Sequence, residues 1–206
     1  LYDGIKGWFR RINAYGEKRG ILVEHYIISS GLREIIEGTA IAKDFTHIYA
    51  SSFYYNEHGE PCWPAQVINY TNKTQFLFRI EKGTLDINDN AVNDHFAEGE
   101  LRVPFRNIVY IGDSATDIPC MRLVNSLGGH SVGVYDLENT ASKDTVCRMI
   151  RDERIRYYVP ADYTKGSEMD TLMHQIIDKT AAYELLEEKH LRDRKEAIIQ
   201  HMEGRS

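Results

Sequence analysis

One stretch constrains the fold more than any other. Ile108-Val109-Tyr110-Ile111 runs into Gly112-Asp113-Ser114-Ala115-Thr116-Asp117, and Ile118-Pro119-Cys120-Met121 follows. A short apolar run ended by Gly-Asp reads as a buried strand emptying into a loop. Asp117 then opens a helical pattern, with Pro119 tolerated in the first turn. In open α/β sheets, ligands bind where strands end at their carboxyl termini. Two carboxylates there, Asp113 and Asp117, with a glycine allowing close approach, suit a hard cation such as Mg2+. That ion takes one or two carboxylates and lets substrate phosphate complete its shell. The plainer alternative is a strand–loop–helix turn with Asp117 as a helix cap.

The rest of the chain has the rhythm of a layered α/β protein. Ile5, Trp8, Phe9, Ile12 and Tyr15 recur at helical spacing, which predicts an amphipathic helix to about Glu17, ended by Gly20. Ile21-Leu22-Val23-Glu24-His25-Tyr26-Ile27-Ile28 predicts a strand that delivers Ser29-Ser30-Gly31, and a short helix over 32–37 follows. A second strand is expected over 46–55. Asn56-Glu57-His58-Gly59-Glu60-Pro61 is turn chemistry, and Val67-Ile68 is expected to return as its partner. A helix is expected from Thr71-Asn72, carrying Lys73, Phe76, Leu77 and Ile80 and ending at Gly83. Later strands are expected over 131–135 and 155–159, with helices over 143–152 and around Met169 to Ile177. Asp86-Ile87-Asn88-Asp89-Asn90 looks like the start of a calcium loop. It has Ala91 where that loop needs Gly and Ala97 where it needs Glu, so a polar loop is expected instead.

Composition narrows the class. The chain has 206 residues, 42% of them hydrophobic and 27% charged, which suits one domain with a sizeable core. A net charge of -6 argues against nucleic acid as a general partner. No apolar run has membrane-spanning length and nothing resembles a signal peptide, so a cytoplasmic protein with no membrane partner is expected. Cys62, Cys120 and Cys147 are too scattered for a disulfide framework or a zinc site.

Strands that alternate with helices imply a mostly parallel sheet whose carboxyl ends lie along one edge. Ser29, Lys73, Asp113 and Asp117 are therefore expected to converge there. A hydroxyl, an ammonium and two carboxylates fit phosphoryl chemistry. Taken singly, Ser29 could cap a helix, Lys73 could be a solvated charge and Asp113 a turn residue.

The order of these groups resembles the haloacid dehalogenase-like hydrolase superfamily, and within it the phosphoserine-phosphatase-like enzymes. Ile27-Ile28-Ser29-Ser30-Gly31-Leu32 is similar to the family's second motif and Asn72-Lys73-Thr74 to its third, with Lys82-Gly83 as a rival. Gly112-Asp113-Ser114-Ala115-Thr116-Asp117-Ile118-Pro119-Cys120-Met121 is similar to its fourth. The resemblance implies a three-layer α/β/α Rossmann-like fold over 1–177, with a small hairpin near 46–70. Residues 178–206 lie outside it as a charged, helical C-terminal extension. It implies a Mg2+-dependent phosphatase acting on a small phosphorylated metabolite through an aspartyl-phosphate. In that reading Asp113 and Asp117 serve the metal, Lys73 and Ser29 are catalytic, and Ser29, Ser30, Gly31 and Lys73 bind substrate.

The family's first motif, D-x-D-x-T/V, supplies the nucleophile from the central strand, and it is absent before Ser29. Asp136-Leu137-Glu138-Asn139-Thr140 mimics it but comes last in chain order, as a loop capping the next helix would. The chain opens at Leu1 without Met. The expectation is therefore a missing N-terminal segment of the same polypeptide that carries the first motif, so that the chain alone is inactive. The other class of reading is a non-catalytic fragment or family member that binds phosphate and metal in a structural or regulatory role.

Overall fold

A computed structural model of the chain describes residues 1–203. Among the described residues, six strands form two three-stranded sheets, accompanied by six α-helices of which α2 (Arg33–Glu37) is a single short turn after the first strand. The first sheet contains β1 (Tyr26–Leu32), β2 (His47–Tyr55) and β3 (Pro61–Gln66), in that order. β1 and β2 are parallel, with Ser29 opposite Ala50, and β2 and β3 form an antiparallel hairpin. The second sheet contains β4 (Val109–Gly112), β5 (His130–Tyr135) and β6 (Tyr157–Pro160), all parallel. Among the described residues, no strand lies on the free side of β1 or of β4.

Helices cover both faces of the second sheet. On one face lie α1 (Ile5–Glu17) and α6 (Glu168–Glu203). Trp8, Phe9 and Ile12 of α1 and Met169, Met173, Ile176 and Ile177 of α6 enclose Val132, Val134 and Val159. On the other face lie α3 (Thr74–Lys82), α4 (Ile118–Ser126) and α5 (Thr140–Arg151). Leu77, Cys120, Met121, Val124, Val146 and Met149 form that core. The period-two alternation of a strand is visible in β4: Val109 and Ile111 pack on the first face, and Tyr110 belongs to the second. This is the α/β/α layering expected from the sequence. The first sheet has a smaller core of Tyr49, Ile68, Phe76 and Ile80.

The N-terminus is clipped in place. Asp3 accepts a hydrogen bond from the Tyr163 N–H at 3.0 Å. Gly4 sits at φ 75°, where an added Cβ would stand 2.4 Å from the backbone of Tyr163 and Thr164, so only glycine fits. α1 is then tied to α6 by Arg11 with Asp170, by Arg19 with Asp178, and by Tyr15 stacked on His174 at 3.8 Å.

Several elements depart from the sequence expectation. The first strand begins at Tyr26 rather than Ile21 and carries on through Ser29 to Leu32. The hairpin returns at Pro61, earlier than Val67-Ile68. β3 is a sheet edge, where a strand tolerates Pro61 and Pro64 because one side needs no donor. Lys73 is the residue just before α3 rather than part of its first turn. The Asp86–Asn90 region takes up no calcium-loop form. Arg79 Nη1 donates to the carbonyls of Asp86 (2.6 Å) and Asp89 (3.0 Å), and Nη2 donates to that of Ile87 (2.8 Å). Asn139 caps α5 by accepting the Ser142 N–H, which explains the Asp136–Thr140 mimic as a loop that starts a helix. Among the described residues, no helix is long and apolar enough to cross a membrane.

Candidate active site

β1 and β4 present their free edges to one cavity of about 710 Å³. Its middle is apolar, with Ile28 from β1, Ile111 from β4, Phe9 and Ile12 from α1 and Leu77 from α3. Its polar end lies at the carboxyl termini of the strands. Ser29, Lys73, Gly112, Asp113 and Asp117 all line it there. Four of the six residues expected in the site thus line one cavity although they come from three separate segments. Ser30 and Gly31 do not line the cavity. Both are exposed, and Ser30 uses its carbonyl to accept the Ser51 hydroxyl at 3.2 Å.

The loop after β1 orients Ser29. Its Oγ accepts the Gly31 N–H at 3.0 Å, which leaves the hydroxyl proton free to donate elsewhere. The small residues at 30 and 31 let the chain turn back on that oxygen.

Lys73 is 5% exposed and Asp117 is 7% exposed, and they form a buried ion pair, Nζ to Oδ1, at 2.8 Å. The same Oδ1 accepts the Tyr110 hydroxyl at 2.9 Å, and Oδ2 accepts the Ser114 hydroxyl at 3.1 Å. Gly112 makes room for this carboxylate: a Cβ on Gly112 would stand 2.8 Å from the Asp117 side chain. Burial, reinforced by the charge of Asp117, pushes the Tyr110 phenol far above its ordinary range, so it stays protonated and acts as a donor. Burial raises the Cys120 thiol to about 11. The rival Lys82 is committed elsewhere, with Nζ on the carbonyls of Val92 (2.8 Å) and Asp94 (2.7 Å).

Asp113 differs from Asp117 in its surroundings. It is exposed at the mouth. Its charge is felt by Tyr2 and Tyr163, whose phenols are raised first by burial, Tyr163 to about 12. Their rings stand 6.3 Å apart. Among the described residues, no group of three or more His, Cys, Asp and Glu is gathered as a ready-made metal cage. A single open carboxylate with a second one held behind it is still the donor set that suits Mg2+, which keeps waters and relies on substrate phosphate for further oxygens.

Tyr110, Ser114, Tyr2 and Tyr163 were not singled out by the sequence. Tyr110 carried a usable signal, a phenol inside an otherwise aliphatic strand that must place its hydroxyl somewhere. Tyr2 and Tyr163 carried none, because only the clip at Gly4 brings them together.

Comparison with known proteins decides the family. Residues 1–122 match the family model described as haloacid dehalogenase-like hydrolase. The chain belongs to that family. It is also similar to an uncharacterized protein of Borreliella burgdorferi (strain ATCC 35210 / DSM 4680 / CIP 102532 / B31), with 24% identity over 186 residues. That alignment covers 82% of this chain and 64% of the relative, so the match spans less than two thirds of the relative's length.

Proposed function

We propose that the chain is the phosphate- and metal-binding part of a Mg2+-dependent phosphatase that hydrolyses a small phosphomonoester through an aspartyl-phosphate. Its nucleophilic Asp is carried by a segment of the same polypeptide that precedes Leu1 and lies as a strand in the cavity between β1 and β4. The observation that carries this reading is the convergence of Ser29, Lys73 and Asp113 on one end of that cavity.

The roles follow from the surroundings of each group. Ser29 has its oxygen tied to the Gly31 N–H and a proton to give, so it donates to a phosphoryl oxygen. Lys73 spends one proton on Asp117 and offers its remaining charge to the phosphoryl group and the incoming carboxylate. Asp113 would hold Mg2+, and Asp117, which pairs with Lys73, would act behind it. The chemistry Mg2+ would supply there is neutralisation of phosphoryl charge. The upstream carboxylate attacks phosphorus as the ester P–O bond breaks. A second upstream carboxyl would protonate the departing oxygen and later take a proton from the water that attacks phosphorus as the aspartyl O–P bond breaks, releasing phosphate and the free carboxylate.

The test is hydrolysis of p-nitrophenyl phosphate by the full-length protein with and without Mg2+. The expected result is turnover that requires Mg2+ and falls by at least about 100-fold in Asp113→Ala. Turnover unchanged by that substitution would remove Asp113 from the metal site. No turnover from an intact, folded full-length protein would end the phosphatase reading.

A further inference from the structure

Asp117 Oδ1 is shared. It accepts Lys73 Nζ at 2.8 Å and the Tyr110 hydroxyl at 2.9 Å. Both donors and the carboxylate are less than 10% exposed. The three groups come from different places. Tyr110 is on β4, where alternation aims it into the α3–α4 layer; Asp117 immediately precedes α4; Lys73 immediately precedes α3. The carboxylate is also bounded by Ser114 on Oδ2 and by Gly112 below.

We infer that Tyr110 is a positioning residue for Lys73, acting through Asp117. The inference rests on the phosphatase reading for its catalytic consequence, though not for the geometry. A lysine has three rotatable donors on a flexible stem and no fixed direction of its own. Here the direction comes from Oδ1, and the position of Oδ1 comes from the phenol. With the hydroxyl removed, the carboxylate can turn about its Cβ–Cγ bond and carry the ammonium with it. Small misplacements of a charge-stabilising group lower turnover more than ground-state binding.

The experiment compares wild type, Tyr110→Phe, Asp117→Asn and the double variant in the full-length protein. Two readouts are taken, with melting temperatures recorded to confirm folding. The first is Mg2+-dependent hydrolysis of p-nitrophenyl phosphate. Tyr110→Phe is expected to lower kcat about tenfold with KM within about twofold, and to have little further effect in the Asp117→Asn background. A silent Tyr110→Phe, a loss confined to KM, or an undiminished loss on top of Asp117→Asn overturns the inference. The second readout needs no catalysis. Limited acetylation with acetic anhydride, followed by peptide mass spectrometry, reports how firmly Lys73 is held. Its labelling is expected to rise several-fold in Tyr110→Phe, and likewise in Asp117→Asn, while that of exposed Lys189 stays constant. Unchanged Lys73 labelling in folded Tyr110→Phe overturns the inference. If wild type shows no phosphatase activity, the phosphatase reading fails, and the labelling readout alone decides whether Tyr110 holds Lys73. If Tyr110→Phe does not fold, unchanged Lys73 labelling in Asp117→Asn overturns the inference, since Tyr110 is held to act through that carboxylate.

Discussion

The two three-stranded sheets are built to different standards. In the sheet of β4, β5 and β6, every residue of β5 is buried and helices close both faces. In the sheet of β1, β2 and β3, only four residues form a buried core, and β3 is exposed along most of its length. The carboxylates Asp113 and Asp117 hang from the well-packed sheet, whereas Ser29 hangs from the thin one. Lys73 leaves the thin half and is anchored in the thick one. The comparison teaches that the anionic end of the site is preorganised by its own core, and that the hydroxyl end depends on contacts made across the cavity.

Breaking the anchor should have the largest effect on the comparison. Lys73→Met leaves Asp117 as a buried, unpaired carboxylate between the halves. Urea unfolding is expected to show a loss of about 3–5 kcal/mol, together with loss of Mg2+-dependent turnover. A loss under about 1 kcal/mol would mean that water reaches Asp117. Matched truncations then grade the two cores. Ile12→Ala and Ile68→Ala remove the same atoms from sites 0% and 2% exposed. Each should cost about 2–5 kcal/mol, with Ile12 at the upper end because its larger cluster collapses less readily around the hole. Equal losses would erase the distinction between the halves.

Acid should probe the thick half at His130. His130 opens β5, is 2% exposed and contacts Lys179 at 3.1 Å. Burial, with the nearby charges of Lys179 and Arg156, lowers its pKa from 6.5 to about 4. The unfolded chain takes up that proton near 6.5 and the folded chain resists until about 4, so the unfolded state binds more protons in between. The stability that depends on neutral His130 is therefore fully present above pH 6.5 and is lost as pH falls toward 4. Between pH 7 and 4 the stability of wild type should fall relative to that of His130→Asn, whatever their difference at pH 7. The smallest effect belongs to the thin half's outer strand: Trp63→Ala, at a site 72% exposed, should change stability by no more than about 0.5 kcal/mol.

Much of this was legible in the sequence, and the reasons differ by element. The Gly112-Asp113 turn, the helix at its end and the layering followed from short apolar runs and periodicity, which are local signals. Ser29, Lys73, Asp113 and Asp117 could be grouped because parallel strands send their carboxyl ends to one edge. What the sequence hid was tertiary. Ile21, Leu22 and Val23 look like strand because they are apolar, yet the His25 carbonyl is the first to meet the neighbouring strand segment, accepting the Thr46 N–H at 2.7 Å, and the ladder starts only where Tyr26 meets His47. Pro61 and Pro64 argue against strand in general but not on an edge. The sharing of one carboxylate oxygen by Tyr110 and Lys73 depends on two helices and a strand meeting, and no spacing in the chain records it.

The outer flanks have a consequence for behaviour in concentrated solution. β3 carries Pro61 and Pro64, and β6 is only four residues long and ends in Pro160. Prolines and short length make a poor template for a stranger's backbone, so neither flank invites edge-to-edge aggregation. The unpaired strand edges among the described residues that lack such protection, those of β1 and β4, face inward. The stickiness of this chain is thereby turned toward its own interior and away from its neighbours.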